Sequence, residues 1–158
     1  MLQHTLEELQ LSRPASDLPS YVVVEGPIGV GKSTLAKSLS YSLNCDLLLE
    51  RPEDNPFLSK FYNSSAAYAL QTQLSFLFQR IRQLSEIQPN DLFGASYVSD
   101  FMLEKDALFA EATLDQYELE LYFNVYEHVV KDTPTPDLVV YLQAPVSCLL
   151  YTSDAADE

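Results

Sequence analysis

The stretch Gly26-Pro27-Ile28-Gly29-Val30-Gly31-Lys32-Ser33, continued by Thr34, constrains this chain more than any other. It fits the pattern G-x-x-x-x-G-K-[ST]. Glycines at this spacing let the backbone curl until several N–H groups converge on one anion. The lysine then reaches the outer phosphates of a nucleoside triphosphate, and the serine hydroxyl meets magnesium. The flanks agree with that reading. Tyr21-Val22-Val23-Val24-Glu25 is a run apolar on both faces, as a central parallel strand requires. From Lys32 to Leu43, Leu35, Ala36, Leu39 and Leu43 fall on one helical face. Strand, glycine turn and helix in this order predict ATP binding by residues 26–34, with Lys32 as a catalytic cation and Ser33 as a magnesium ligand.

The rest of the chain extends the same pattern. Asp46 to Glu50 contains Leu47-Leu48-Leu49 and reads as a second short buried strand. Asn55-Pro56 marks a helix start, with Phe57, Leu58, Phe61 and Tyr62 as its stripe. A longer helix is predicted from about Ala66 to Ile87, with Leu70, Leu74, Leu77, Phe78, Ile81 and Leu84 on one side and Pro89-Asn90-Asp91 as its stop. Ala95 to Val98 reads as a third strand, ending in Ser99-Asp100. Phe101 to Ala110 reads as a helix. Another helix runs from Leu114-Asp115 to about Lys131, with Leu119, Tyr122, Tyr126 and Val129 as its face. Asp137 to Leu142 reads as a fourth strand. Alternating strands and helices predict an α/β fold with a parallel sheet.

Charge and cysteine content narrow the function. The formal net charge is −14, opposite to the basic footprint of a nucleic-acid binder. Two distant cysteines, Cys45 and Cys148, make neither a disulfide framework nor a zinc spacing. No stretch has the length and apolarity of a membrane span, and the N-terminus lacks the basic and apolar regions of a signal peptide. A reduced, cytoplasmic protein is expected, without nucleic-acid or membrane partners.

A phosphate loop alone does not select a reaction. The chain shows neither the D-x-x-G switch nor the N-K-x-D base reader of a GTPase, and Ser99-Asp100-Phe101 offers one carboxylate where a motor ATPase would carry Asp-Glu. A small-acceptor kinase is the better fit. Glu50 comes directly after the second strand, at the sheet edge where open α/β sheets bind ligands, and a carboxylate there can accept a proton from an attacking hydroxyl. The alternative is a solvated loop carboxylate. Asp100 ends the third strand on the same edge and can hold magnesium directly or through water. Its alternative is an N-cap for the next helix.

The segments GPIGVGKST, LLLERPEDNPFLSKFY, LQTQLSFLFQRIRQL and VSDFMLEKDALFA, in this order, resemble the bacterial deoxynucleoside kinases, the deoxyadenosine, deoxyguanosine and deoxycytidine kinase group. The resemblance covers about Tyr21 to Val146. It implies a P-loop nucleoside/nucleotide kinase fold, three-layered around a parallel sheet. It also implies transfer of the γ-phosphoryl of ATP, with Mg2+, to the 5′-hydroxyl of a deoxynucleoside. By resemblance Glu50 is the general base and Gln73 hydrogen-bonds the nucleobase, with Gln71 the alternative in a shifted register. Asp106 pairs with the same base, Phe109 stacks near it, Tyr62 bonds the sugar 3′-hydroxyl, and Arg80 lies beside the base pocket. Bland alternatives are an exposed helix glutamine for Gln73 and plain core for the aromatics. Many family members read Glu-Arg-Ser after the third strand, whereas this chain reads Ser99-Asp100-Phe101. Asp100 can take the acidic role, and Lys105 is a candidate for the missing arginine. Family members are often dimers through their long helices, so a homodimer is a further expectation. Two other readings stand beside this one: a thymidylate-type nucleotide kinase, and a nucleotide-binding module without catalysis.

The expected organisation is a leader over residues 1–19, a kinase domain over 20–147, and a tail over 148–158. The tail, Cys148 to Glu158, looks like the in-frame translation of a sequencing adapter and is expected to be non-native. On that reading the family's final strand and its arginine-rich lid are absent, and turnover by this stretch alone would be poor.

Overall fold

A computed structural model describes residues 19–87 and 95–150. The expected leader helix over Thr5 to Leu9, the stop at Pro89-Asn90-Asp91 and the end of the tail, 151–158, lie outside the described residues. The described residues fall into two compact units. One is drawn from Met1–Leu49, Asn90–Asp100 and Thr135–Glu158, the other from Glu50–Pro89 and Phe101–Pro134.

The first unit is a parallel sheet of four strands, β1 (Tyr21–Glu25), β2 (Asp46–Leu48), β3 (Tyr97–Ser99) and β4 (Leu138–Tyr141), with helix α1 (Lys32–Leu43) after β1. The spatial order is β2-β3-β1-β4. Val22 faces Val98 on one side and Leu138 on the other, so β1 is central, as its unbroken apolar run requires. All five of its residues are buried. Asp137 fixes the register of β4, because its carboxylate accepts the N–H groups of Ser20 and Tyr21, each at 2.9 Å. Val22, Val24, Ala36 and Val98 form the core, with Leu35, Leu39 and Leu47 packed against it.

The second strand is shorter and less buried than expected. It covers Asp46–Leu48, and only Leu48 is buried. The reason is its place at the sheet edge, where β3 is its one neighbour. Glu50 therefore lies two residues beyond the strand rather than closing it. The fourth strand is the other edge, and Leu138 and Tyr141 are exposed there.

The second unit is helical: a 3-10 turn at Pro52–Asp54, then α2 (Leu58–Asn63), α3 (Ser65–Leu84), α4 (Glu104–Thr113) and α5 (Gln116–Val129). Asn55 ties its first part together. Its Nδ2 donates to the Thr72 carbonyl at 3.1 Å, and its Oδ1 accepts the Phe57 N–H at 3.1 Å. A capping box starts α5, with Asp115 accepting the N–H groups of Tyr117 and Glu118. Helix α4 begins at Glu104, not at Phe101.

The inward face of α3 differs from the predicted stripe. Ala69, Thr72, Gln73, Leu77, Arg80 and Leu84 are the buried residues. Leu77 and Leu84 belong to both sets, but Phe78 is 46% exposed, and Leu70, Leu74 and Ile81 are half-buried. Hydrophobicity alone places the face wrongly. The helix turns inward the polar side chains that find partners there, and Leu74 and Phe78 line an open groove of about 720 Å³ with Phe57 and Arg82.

Candidate functional site

The sheet unit holds the phosphate loop. Its backbone is possible because Gly26, Gly29 and Gly31 have φ of 153°, 81° and 99°. Gly31 sits in the left-handed region at the N-cap of α1, so the loop delivers its N–H groups to the start of that helix, the positive end of the helix dipole. A Cβ on Gly26 would lie 2.7 Å from the Leu142 carbonyl oxygen. Lys32 Nζ donates to the carbonyls of Gly26 at 2.8 Å and Pro27 at 3.3 Å, which aims the ammonium across the loop. An open cleft of about 430 Å³ beside Pro27 is lined also by Tyr141 and Gln143.

Ser33 and Asp100, two residues separated by most of the sheet's sequence, meet at this end. The Ser33 hydroxyl donates to Asp100 Oδ2 at 2.6 Å. Parallel strand order explains the meeting: β1 and β3 are neighbours, so the chain leaves both strands at the same edge of the sheet. Asp100 is not an N-cap, since that position of α4 is Leu103. A hydroxyl and one carboxylate are hard oxygen donors, a set that suits magnesium completed by substrate phosphates and water. Among the described residues no group of three or more His, Cys, Asp or Glu could form a metal cage.

The helical unit brings together Glu50, Arg80 and Asp106. Arg80 Nη1 donates to Asp106 Oδ1 and Arg80 Nη2 to Glu50 Oε1, so one guanidinium bridges two carboxylates. Asp106 is fully buried and Arg80 nearly so, at 0% and 9% exposure. Burial pushes the Asp106 carboxyl above its usual range, against the opposing pull of Arg80 and of the Tyr122 hydroxyl, while Glu50 adds a smaller push upward. Tyr122 donates to Asp106 Oδ2. Burial, then the bond to Asp106, holds that phenol well above the ordinary tyrosine range. Arg80 Nε is buried without a hydrogen-bond partner among the described residues. The guanidinium also stacks 5.2 Å from the Phe76 ring centre.

Gln73 is buried on the same face of α3, and its Nε2 donates to Thr113 Oγ1 at 3.4 Å. Thr113 in turn donates to the Phe109 carbonyl at 2.7 Å. Gln73 is thus not an exposed helix glutamine, whereas Gln71 is exposed. Phe109 is 41% exposed, with Lys105 Nζ 5.6 Å from its ring centre, so Lys105 lies over an aromatic. Neither Phe109 nor Tyr62 is core. Tyr62 is 78% exposed and its ring meets that of Phe61.

Sequence reasoning assigns Tyr122 to the core and passes over Thr113. A signal exists for the first. A phenol on a stripe with Leu119 must find a buried partner for its hydroxyl, and the acidic Asp106 is a ready acceptor.

A family model described as deoxynucleoside kinase matches residues 22–151. The chain is 36% identical over 132 residues to the deoxyguanosine kinase of Bacillus subtilis (strain 168), covering 83% of this chain and 64% of that protein. It is 30% identical over 139 residues to the deoxyadenosine/deoxycytidine kinase of the same organism, covering 83% and 63%. It thus spans a little under two thirds of the length of these relatives. Among solved structures, deoxyadenosine kinase from M. mycoides with bound dCTP superposes with a TM-score of 0.72 at 22% identity, covering 87% of this chain and 71% of that one, which shows the shared fold. A phosphate loop on a parallel sheet, this family match and these relatives lead to one conclusion: the chain belongs to the deoxynucleoside kinase family.

Proposed function

We propose that residues 20–147 serve ATP-dependent transfer of a phosphoryl group to the 5′-hydroxyl of a deoxynucleoside, as a nucleotide-salvage step in the cytoplasm. The observation that carries the reading is the charge of the Glu50–Arg80–Asp106 cluster. One guanidinium is shared between two carboxyl groups, so the cluster has no positive charge to spare for an acceptor phosphate. Such a pocket suits a neutral acceptor with hydroxyl and N–H donors and disfavours an acceptor that already bears a phosphate. A thymidylate-type nucleotide kinase would need cations to spare. Arg51 instead reaches Asp54 at 3.9 Å on the surface, and Arg82 is exposed on another face of α3.

In this reading residues 26–34 bind ATP. The loop N–H groups take the phosphates, and Lys32 turns from its two carbonyls to the outer phosphates. Ser33 and Asp100 would hold magnesium, which when bound shields charge on the transferring group. Glu50 accepts the proton of the 5′-hydroxyl as that oxygen attacks phosphorus. Gln73 and Arg80 address the base, while Asp106, fully buried with its oxygens taken by Arg80 and Tyr122, acts through Arg80 rather than on the base directly. Phe109 offers a stacking face, and the exposed Tyr62 is available to the sugar 3′-hydroxyl. The half-exposed Leu74 and Phe78 on α3 are consistent with a homodimer through that helix.

The test is a transfer assay with labelled ATP against the deoxynucleosides and their monophosphates. Phosphorylation of a deoxynucleoside is expected. The Glu50→Gln variant should lose about 10²–10⁴-fold in kcat while still binding Mg·ATP. Preferential phosphorylation of a monophosphate would overturn the proposal in favour of a nucleotide kinase. Full turnover by E50Q would remove Glu50 from the chemistry.

A further inference from the structure

Asp106 is the most demanding side chain in the helical unit. A carboxylate with no solvent exposure must have its oxygens satisfied by protein donors, or it takes up a proton. Arg80 from α3 serves one oxygen, and Tyr122 from α5 serves the other. Among the described residues, further charged and titratable groups that act on it are Glu50, from the segment after β2, and Tyr126, one turn beyond Tyr122 on α5. The Tyr122 ring is itself fixed. It is fully buried, stacks on Tyr126 at 5.8 Å and meets the edge of Phe123 at 5.5 Å. Its hydroxyl has little freedom to leave Asp106.

We propose that Tyr122 is a positioning residue for the acceptor site, holding the Asp106 carboxylate charged and oriented so that Arg80 stays bridged between Asp106 and Glu50. The inference rests on the deoxynucleoside kinase reading and deepens it. Without the hydroxyl, Asp106 Oδ2 loses its donor in a site that water does not reach, and the carboxyl protonates more readily. A protonated Asp106 no longer anchors Arg80. The guanidinium, whose Nε has no partner to hold it, then settles against Glu50, the residue assigned to the 5′-hydroxyl. Tyr122 thus reaches the reacting groups through two intermediates and touches none of them.

The variant Tyr122→Phe keeps the ring and removes only the oxygen. Its acid limb of kcat/KM for the deoxynucleoside should move up by about one pH unit, and KM for the deoxynucleoside at neutral pH should rise about 5- to 20-fold, the scale of one hydrogen bond to a charged group. KM for ATP and kcat on the alkaline plateau should stay within about 2-fold, since the phosphate loop is not involved. A tyrosine that merely fills space predicts a lower melting temperature with the acid limb and KM unmoved, and that result overturns the proposal. Should Y122F not fold, proton NMR of the wild-type protein decides. A slowly exchanging, downfield phenolic proton assigned to Tyr122 supports the proposal, and a freely exchanging one refutes it. A wild-type protein that phosphorylates no deoxynucleoside defeats the kinase reading instead, and the NMR signal still reports on the Tyr122–Asp106 bond by itself.

Discussion

Asp106 is a carboxylate whose folded pKa is raised, chiefly by burial. Its folded form therefore holds a proton to higher pH than the unfolded chain does. Its contribution to stability is fully present at low pH, below the unfolded carboxylate range, and is lost as pH rises through the raised folded value. The melting-temperature difference between wild type and Asp106→Asn should accordingly fall as pH rises through that window, because the asparagine cannot titrate. A flat difference from pH 3 to pH 8 (about five pH units, well beyond a typical shift) would contradict the burial effect. Gly26 gives a second prediction at this scale. With φ of 153° and the Leu142 carbonyl 2.7 Å from where a Cβ would stand, Gly26→Ala must strain the backbone and push β1 from the segment after β4. A loss of about 1–3 kcal/mol is expected in denaturant titration, together with weaker ATP binding. Gly31 has open space where its Cβ would be, so its demand is for the left-handed φ alone.

Each element is held by a different device, and the devices differ in how visible they are in sequence. Helix α5 starts with a reciprocal capping box between Asp115 and Glu118. That box is local chemistry, and Asp115→Ala should cost about 1 kcal/mol, read as a lower melting temperature with little change in nucleoside affinity. Leu114-Asp115 is legible in the sequence as the entry to this helix for that reason. Helix α3 shows the opposite case. Its ends are nearly right in the sequence reading, but its inward face is not, because Gln73 and Arg80 find partners on other elements and Thr72 turns its hydroxyl back to the Tyr68 carbonyl of its own helix. No count of apolar residues at helical spacing contains Asp106 or Thr113. The second strand is overestimated for a related reason. Leu47-Leu48-Leu49 has the composition of an interior strand, and only the order of strands in the sheet makes it an edge.

At the scale of the whole molecule, the chain carries a formal charge of −14 and yet is proposed to bind an anionic cofactor. Backbone N–H groups, Lys32 and a bridging cation must offset that repulsion. Mg·ATP should therefore raise the melting temperature, and ATP in the presence of a metal chelator should raise it much less. Ligand at about 100 times its Kd adds about 2.7 kcal/mol when binding is confined to the folded state. A deoxynucleoside added alone should give its own increase, since its proposed contacts lie in the helical unit. Equal stabilisation by ATP with and without magnesium would argue against the Ser33–Asp100 pair as a metal site. Among the described residues no helix is long and apolar enough to cross a membrane.

The amino-acid order by itself determined the phosphate loop, the strand and helix around it, and the alternation that makes an α/β sheet. These depend on neighbours within a few residues: glycines where φ must be positive, β-branched residues in a fully buried strand, leucines at helical spacing. Tertiary structure decided the rest. It brought Ser33 to Asp100 because β1 and β3 lie side by side. It gave Arg80 two carboxylates and made Tyr122, a plain core residue by its sequence pattern, a hydrogen-bond donor to one of them. A buried polar group is stabilised only by partners that other segments supply, so its role is fixed where those segments meet and cannot be read from its own surroundings in the chain.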